Sequence, residues 1–196
     1  QSDKDGIIHI VHHGGATQVR NQSALIEAAR KTKSNVRLHF LLVGRADRIE
    51  ELKSEAADIP DRVEFHDTVP SSQIAERISE YDLGVHAMPP YSMNAEWAMP
   101  NKMFEFAAAG LPFVIGPLPG MAMWVEKYDS GWVADDFDSV AFTKVFDSLD
   151  LDQIRAKTEG ALTMAENANG STEEQKFLKV VGKSLASRLE FPPRDK

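Results

Sequence analysis

One carboxylate stands inside a stretch that is otherwise almost wholly apolar. The run Met99-Pro100-Asn101-Lys102-Met103-Phe104-Glu105-Phe106-Ala107-Ala108-Ala109-Gly110 reads as a short helix with Glu105 near its middle. Pro100 suits a first helical turn, and Gly110 suits a left-handed C-cap. Residues three and four apart share a helix face, so Asn101, Lys102 and Glu105 form a polar side opposite Met103, Phe106 and Ala107. Two chemistries fit this trio. It is either a surface Lys–Glu pair, or a site in which Glu105 accepts hydrogen bonds from two vicinal ribose hydroxyls while Lys102 and the helix-start N–H groups face a phosphate.

Other segments offer anion chemistry. His12-His13-Gly14-Gly15 follows a predicted strand and precedes a helix, with Arg20 close behind. The two glycines let backbone N–H groups approach an anion, and Arg20 supplies charge-assisted bonds; the bland alternative is a tight turn with a solvated arginine. The spacing is neither a dinucleotide fingerprint nor a phosphate-binding loop ending in Gly-Lys-Ser/Thr. Gly44-Arg45 stands at another strand end, where Arg45 either helps hold a diphosphate or is simply solvated. Asp67-Thr68-Val69-Pro70 follows a third strand, and its exposed backbone suits pairing with a base. In the Pro/Met-rich loop 88–99, Asn94, Glu96 and Trp97 are candidates to close over a sugar; a plain surface crossover fits equally.

Six histidines are scattered with no His-x3-His helix pair or comparable ligand spacing, so no metal site is assigned. Adjacent on a strand end, His12 and His13 are expected to face opposite ways. The chain has no cysteine, which excludes disulfides, thiolate metal sites and cysteine nucleophiles. Its formal net charge of −8 argues against nucleic acid or an anionic membrane as main partner. Any bound anion must then be held by a local cluster of cations and N–H groups.

These residues need positioning elements, and strand and helix signals alternate along the chain. Strands are expected at Ile7–Val11, Leu38–Val43, Val63–Phe65, Leu83–His86, Phe113–Ile115 and Trp132–Ala134. Helices are expected at Gln22–Thr32, Asp47–Ala57, Ser72–Glu80, Met121–Tyr128, from a Ser139 cap to Leu149, at Leu151–Glu166, and from a Ser171/Glu174 capping box to about Leu189. Short apolar strands separated by helices predict an α/β fold with a doubly wound parallel sheet, Rossmann-like, in one domain. Ligands of such sheets bind beyond the carboxyl ends of the strands. The expected organisation is a lead at 1–6, the domain at 7–190 and a tail at 191–196. No apolar run reaches the roughly 20 residues of a membrane span. The polar start is no signal peptide and lacks an initiator methionine, so the chain is expected to be a processed or excised fragment.

The run "PNKMFEFAAAGLPFVIGPLPG" closely resembles the donor-binding signature of family 4 glycosyltransferases, enzymes of two-domain GT-B architecture. "HHGG…R…ALIEAA", "LLVG…EELK", "VEFHDTV", "YDLGVHAMP" and "GWVADDFDSVAF" follow in the family's order, from about Ile7 to Phe177. The resemblance implies the donor-binding, C-terminal-type domain of a retaining, metal-independent hexosyltransferase. Its substrate would be a nucleotide-diphospho-sugar and its cofactor none. Glu105 matches the second glutamate of the family's E-x7-E motif, which holds the ribose. Arg20 matches the cation that meets the diphosphate, and with Lys102 is the expected catalytic pair. Pro100 to Lys102 resembles the segment whose backbone faces the phosphates, and Asp67 to Val69 the loop beside the base. Gly14, Gly15, Arg45 and Asn101 complete the expected donor site.

Two positions depart from the pattern. Trp97 stands where the first motif glutamate falls, with Glu96 one place early, and Gly15 replaces an arginine common after the first loop glycine. The triplets Asp136–Asp138 and Asp150–Asp152 are similar to the metal motif of the other main glycosyltransferase architecture, but their places suit helix caps. The resemblance further implies an acceptor-binding domain outside this chain, through which any membrane contact would pass, and a cytoplasmic location. The chain alone is expected to bind donor without transferring sugar. A non-catalytic nucleotide- or sugar-binding module, or a fragment of a GT-B sugar-nucleotide epimerase, stand as alternatives.

Overall fold

The computed structural model describes the backbone of residues 6–189 and side chains through residue 181. The expected tail at 191–196 and most of the lead at 1–6 fall outside these residues. Six strands form one sheet: β1 (Ile8–Ala16), β2 (Val36–Gly44), β3 (Val63–His66), β4 (Leu83–His86), β5 (Phe113–Ile115) and β6 (Gly131–Val133). Every pairing is parallel, and the order is β3-β2-β1-β4-β5-β6. The doubly wound fold read from the alternating pattern is therefore present, with its switch point between β1 and β4.

The helices are α1 (Gln22–Lys31), α2 (Ala46–Glu55), α3 (Ile74–Ile78), α4 (Met93–Glu96), α5 (Asn101–Ala108), α6 (Pro119–Tyr128), α7 (Ser139–Ser148), α8 (Leu151–Asn167) and α9 (Gly170–Leu189). Side chains alternate across a strand, and the two faces bury different sets. Ile10, Leu38, Phe40 and Val85 meet Leu25 of α1 and Phe142 and Phe146 of α7 on one face. Val11, Leu41, Phe113 and Ile115 meet Ile78, Met103, Phe106 and Met121 on the other. Burying each such large side chain contributes about 1.5–3 kcal/mol. None of the helices among the described residues is long and apolar enough to cross a membrane.

Several local expectations change. β1 does not stop at Val11. It stays in register with β2 from Ile8↔Val36 to Ala16↔Gly44, so Gly14 and Gly15 end a strand rather than make a turn. The turn comes later, where Asn21 sits in the left-handed region at φ 56° and its amide donates to the Phe137 carbonyl at 2.6 Å. Segment 71–80 begins as a short 3-10 turn and becomes α-helical only over α3. Loop 88–99 holds the single turn α4, capped by Ser92. Pro100 is the N-cap of α5 rather than its first residue.

Caps shift by one or two residues elsewhere. Asp138, not Ser139, caps α7, accepting from Ala141 N–H at 2.8 Å. A charged acceptor at a helix N-terminus is favoured over a neutral one. Asp150 caps α8 in the same way, so one member of each Asp-x-Asp triplet serves a helix end. At α9 the cap is Asn169, bonded to Thr172 N–H at 2.9 Å, and no Ser171/Glu174 box forms. The expected end of α5 is present: Gly110 has φ 70°, and Leu111 and Gly110 N–H reach back to the carbonyls of Phe106 and Ala107 at 2.9 Å.

Candidate functional site

β1 runs straight into the site. His13 and Gly14 lie near its carboxyl end, and the N-terminus of α5 lines the same cavity. Gly14 has φ 108°, open to glycine and strained for other residues. A Cβ there would lie 2.9 Å from the Lys102 Nζ and 3.8 Å from a guanidinium nitrogen of Arg20. The two cations are therefore within about 7 Å of each other and repel.

Lys102 is not on the surface. It is 4% exposed, and its ammonium donates to the His13 carbonyl. Burial, then the charge of Arg20, lowers its pKa to about 7, with Glu105 pulling the other way. Among the described residues no carboxylate comes within 4.0 Å of Arg20 or Lys102, although the whole chain is acidic. Two cations thus face the same cavity, with the Glu105 charge as the opposing influence on Lys102.

Glu105 lies on the next turn of α5. Its side chain is 28% exposed and reaches within 3.6 Å of the His13 ring. Burial raises its pKa and Lys102 opposes that. The His13 imidazole is held edge-on to Phe106, with centroids 5.1 Å apart. Burial, then Lys102 and Arg20, lowers its pKa to about 3, so it is neutral at physiological pH and makes no ion pair with Glu105. His12 faces the other way, as its place in β1 requires, and meets the Val85 carbonyl at 3.0 Å. His86, at the carboxyl end of β4, is buried with neither ring nitrogen bonded.

His13, Gly14, Arg20, Lys102 and Glu105 line one cavity of about 440 Å³, within the range of small-ligand sites. From the expected set it gathers Gly14, Arg20, Thr68, Val69, Asn101, Lys102 and Glu105. Thr68 also borders a neighbouring cavity of about 340 Å³ that includes Asp67. Gly15 stays outside the lining; its carbonyl accepts from the Gln22 amide at 2.9 Å, which fixes the strand end instead. Arg45 is also outside, exposed and bonded to Asp47 at 2.6 Å. Asn94, Glu96 and Trp97 are exposed on and after α4, and none lines the cavity. Leu41, Val43, Ser71 and Ile74 join the lining with no sequence signal to mark them as donor contacts, and of the adjacent pair His12 and His13 it is His13 that reaches it. The strand-end rule nominates the loops after these strands but not the individual side chains.

The geometry defines an α/β domain with a cavity lined by Arg20, Lys102 and Glu105 beside its topological switch point. A family model described as "Glycosyl transferases group 1" matches residues 8–149, and the chain belongs to that family. Two curated relatives are the GDP-Man:Man(3)GlcNAc(2)-PP-Dol alpha-1,2-mannosyltransferases of Xenopus laevis and Xenopus tropicalis. The first is 28% identical over 174 residues, covering 82% of this chain and 33% of its own. The second is 26% identical over 153 residues, covering 72% and 29%. The chain thus spans about a third of the length of these relatives.

Solved structures share the fold. Anabaena HepE, in complex with UDP and glucose, superposes with a TM-score of 0.73 at 17% identity, covering 93% of this chain and 51% of that one. The C-terminal domain of a group 1 glycosyltransferase, LpcC of Francisella tularensis, gives 0.65 at 14% identity, covering 84% and 89%. The extent of that second match agrees with a single C-terminal-type domain.

Proposed function

We propose that this chain is the nucleotide-diphospho-sugar-binding half of a retaining glycosyltransferase. The reading rests on one observation above others: Arg20 and Lys102 face one cavity at the N-terminus of α5 with no carboxylate within 4.0 Å of either among the described residues. A diphosphate is the anion that suits two cations and a helix start together. Glu105, one turn on, is left to accept from the vicinal hydroxyls of the ribose, and Thr68 and Val69 flank the base. During transfer the cations stabilise charge developing on the departing diphosphate, work that other enzymes give to a divalent metal. Both groups are already in place, so little reorganisation is needed.

The acceptor would be held by a second domain, and the chain alone transfers no sugar. Membrane contact, if the whole protein makes any, passes through that domain. Nucleic acid is no partner, and the location is cytoplasmic. The relatives' names put GDP first among candidate nucleotides and the HepE complex puts UDP second. Trp97 favours a second reading, a binding module without catalysis, because an exposed indole stands where the family's first glutamate would meet the sugar.

Thermal shift with UDP, GDP, ADP and dTDP tests the proposal, because a ligand stabilises only the state it binds. One nucleotide should raise Tm, and Glu105→Ala should weaken its binding about tenfold or more by calorimetry, the loss of hydrogen bonds to a charged group. No shift with any nucleotide would reject the donor site. Unchanged affinity in the variant would remove Glu105 from it. Activity of the chain joined to an acceptor domain separates the enzyme from the binding module.

A further inference from the structure

A second polar group lies on the same sheet face, outside the cavity that Arg20 and Lys102 face. The β2–β3 register sets His39 beside Glu64, and the two-residue strand period puts His66 on the face of Glu64. The rings of His9, His39 and His66 stack in a row, with centroids 5.0 and 5.1 Å apart. His9 Nδ1 meets His39 Nε2 at 2.8 Å, and His39 Nδ1 meets His66 Nε2 at 2.9 Å. A Glu64 carboxylate oxygen stands 3.6 Å from that same His39 Nδ1 and 3.8 Å from that same His66 Nε2. Three donor atoms thus close one triangle. The point equidistant from its corners lies about 2.0 Å from each, the length of zinc bonds to imidazole nitrogen and carboxylate oxygen.

We infer that His39 Nδ1, His66 Nε2 and Glu64 form a binding site for a divalent transition metal of the zinc class, with a fourth position open to water or a ligand oxygen. A histidine hydrogen-bond ladder accounts for the stacked rings but not for Glu64, whose oxygen is too far from either nitrogen for a hydrogen bond. It stands where a third ligand belongs. Two imidazoles with one carboxylate suit zinc and its neighbours rather than magnesium or calcium, which favour all-oxygen sets. A metal takes the neutral imidazole, whose ring-nitrogen lone pair is the ligand. With metal on Nδ1, the proton of His39 moves to Nε2 and is donated to His9 Nδ1, which fixes the tautomer from behind.

Glu64 and Asp67 supply negative charge. Arg37 and Arg77 oppose it, Arg77 being ion-paired with Glu80 and stacked over Tyr81 at 5.6 Å. The metal would tie β3, the outermost strand, to β2, with β1 backing it.

The test uses the tag-free chain, stripped with chelator and titrated with Zn²⁺ against a chromophoric competitor. One Zn²⁺ should bind per chain and raise Tm, and Co²⁺ should give the strong visible bands of a four- or five-coordinate ion. Glu64→Gln and His66→Gln should each weaken Zn²⁺ binding about tenfold or more. Glu64 is exposed, so its variant keeps the fold, which circular dichroism checks. Absence of saturable Zn²⁺ binding below about 1 mM, or equal affinity in wild type and Glu64→Gln, would overturn the site. Neither outcome depends on nucleotide binding.

Discussion

Burying Lys102 carries a cost that the proposed diphosphate would offset. An ammonium 4% exposed beside a second cation is destabilising, and the lowered pKa expresses that cost. The unfolded chain holds this proton with the ordinary lysine value of 10.5, while the folded chain releases it near 7. Between those values the unfolded state binds more protons, so this group makes stability rise with pH across that window, and its cost is fully present below it. Lys102→Met removes the term. The variant should be more stable than wild type at about pH 6.5, by roughly 0.5–2 kcal/mol, with the gap narrowing as pH rises and closing only near the unfolded value of 10.5. Nucleotide affinity should fall at the same time. Denaturant unfolding at the two pH values, with calorimetry, checks both; a variant less stable at the lower pH would show that Lys102 supports the fold instead. Spacing alone cannot reveal this burial. Lys102 and Glu105 read as a helix-surface pair, and the backbone that covers the lysine arrives from Gly14, far upstream.

At the level of elements, α5 reaches the cavity because β4 lets it approach. A Cβ on Gly84 would fall 2.5 to 2.7 Å from ring atoms of Phe106, so only glycine allows this closeness. Gly84→Ala should push α5 off the sheet, destabilise the domain by about 1–3 kcal/mol and lower nucleotide affinity as Glu105 moves. The denaturation midpoint and the nucleotide-induced Tm shift measure the two effects; a stable variant that binds normally would show that α5 adapts. The strands themselves were legible, since buried parallel strands read as apolar runs, and Leu83–His86 and Phe113–Ile115 stand as expected. The extent of β1 was not. Two glycines look like a turn until β2 is known to be long enough to pair them. Asn94, Glu96 and Trp97 were nominated from a loop, where no periodicity tells inward from outward. The His39–Glu64–His66 triangle was equally hidden, because its members meet only through strand order.

For the whole molecule, that order places the cavity where β1 parts company with its two neighbours. One of them, β2, follows directly in the chain; the other, β4, comes only after β3. On the ribosome, β1, β2 and β3 can pair as soon as they emerge, while one edge of β1 stays bare until Leu83–His86 appears. Open edges invite wrong partners. Nascent chains stalled after β3 should be cut readily by protease, and those stalled beyond β5 should resist; equal resistance at both lengths would mean that the first three strands need no cover. A strand whose second neighbour comes late in the chain thus leaves an edge waiting, and the interval between the emergence of β3 and that of β4 is when a chaperone has most reason to be present.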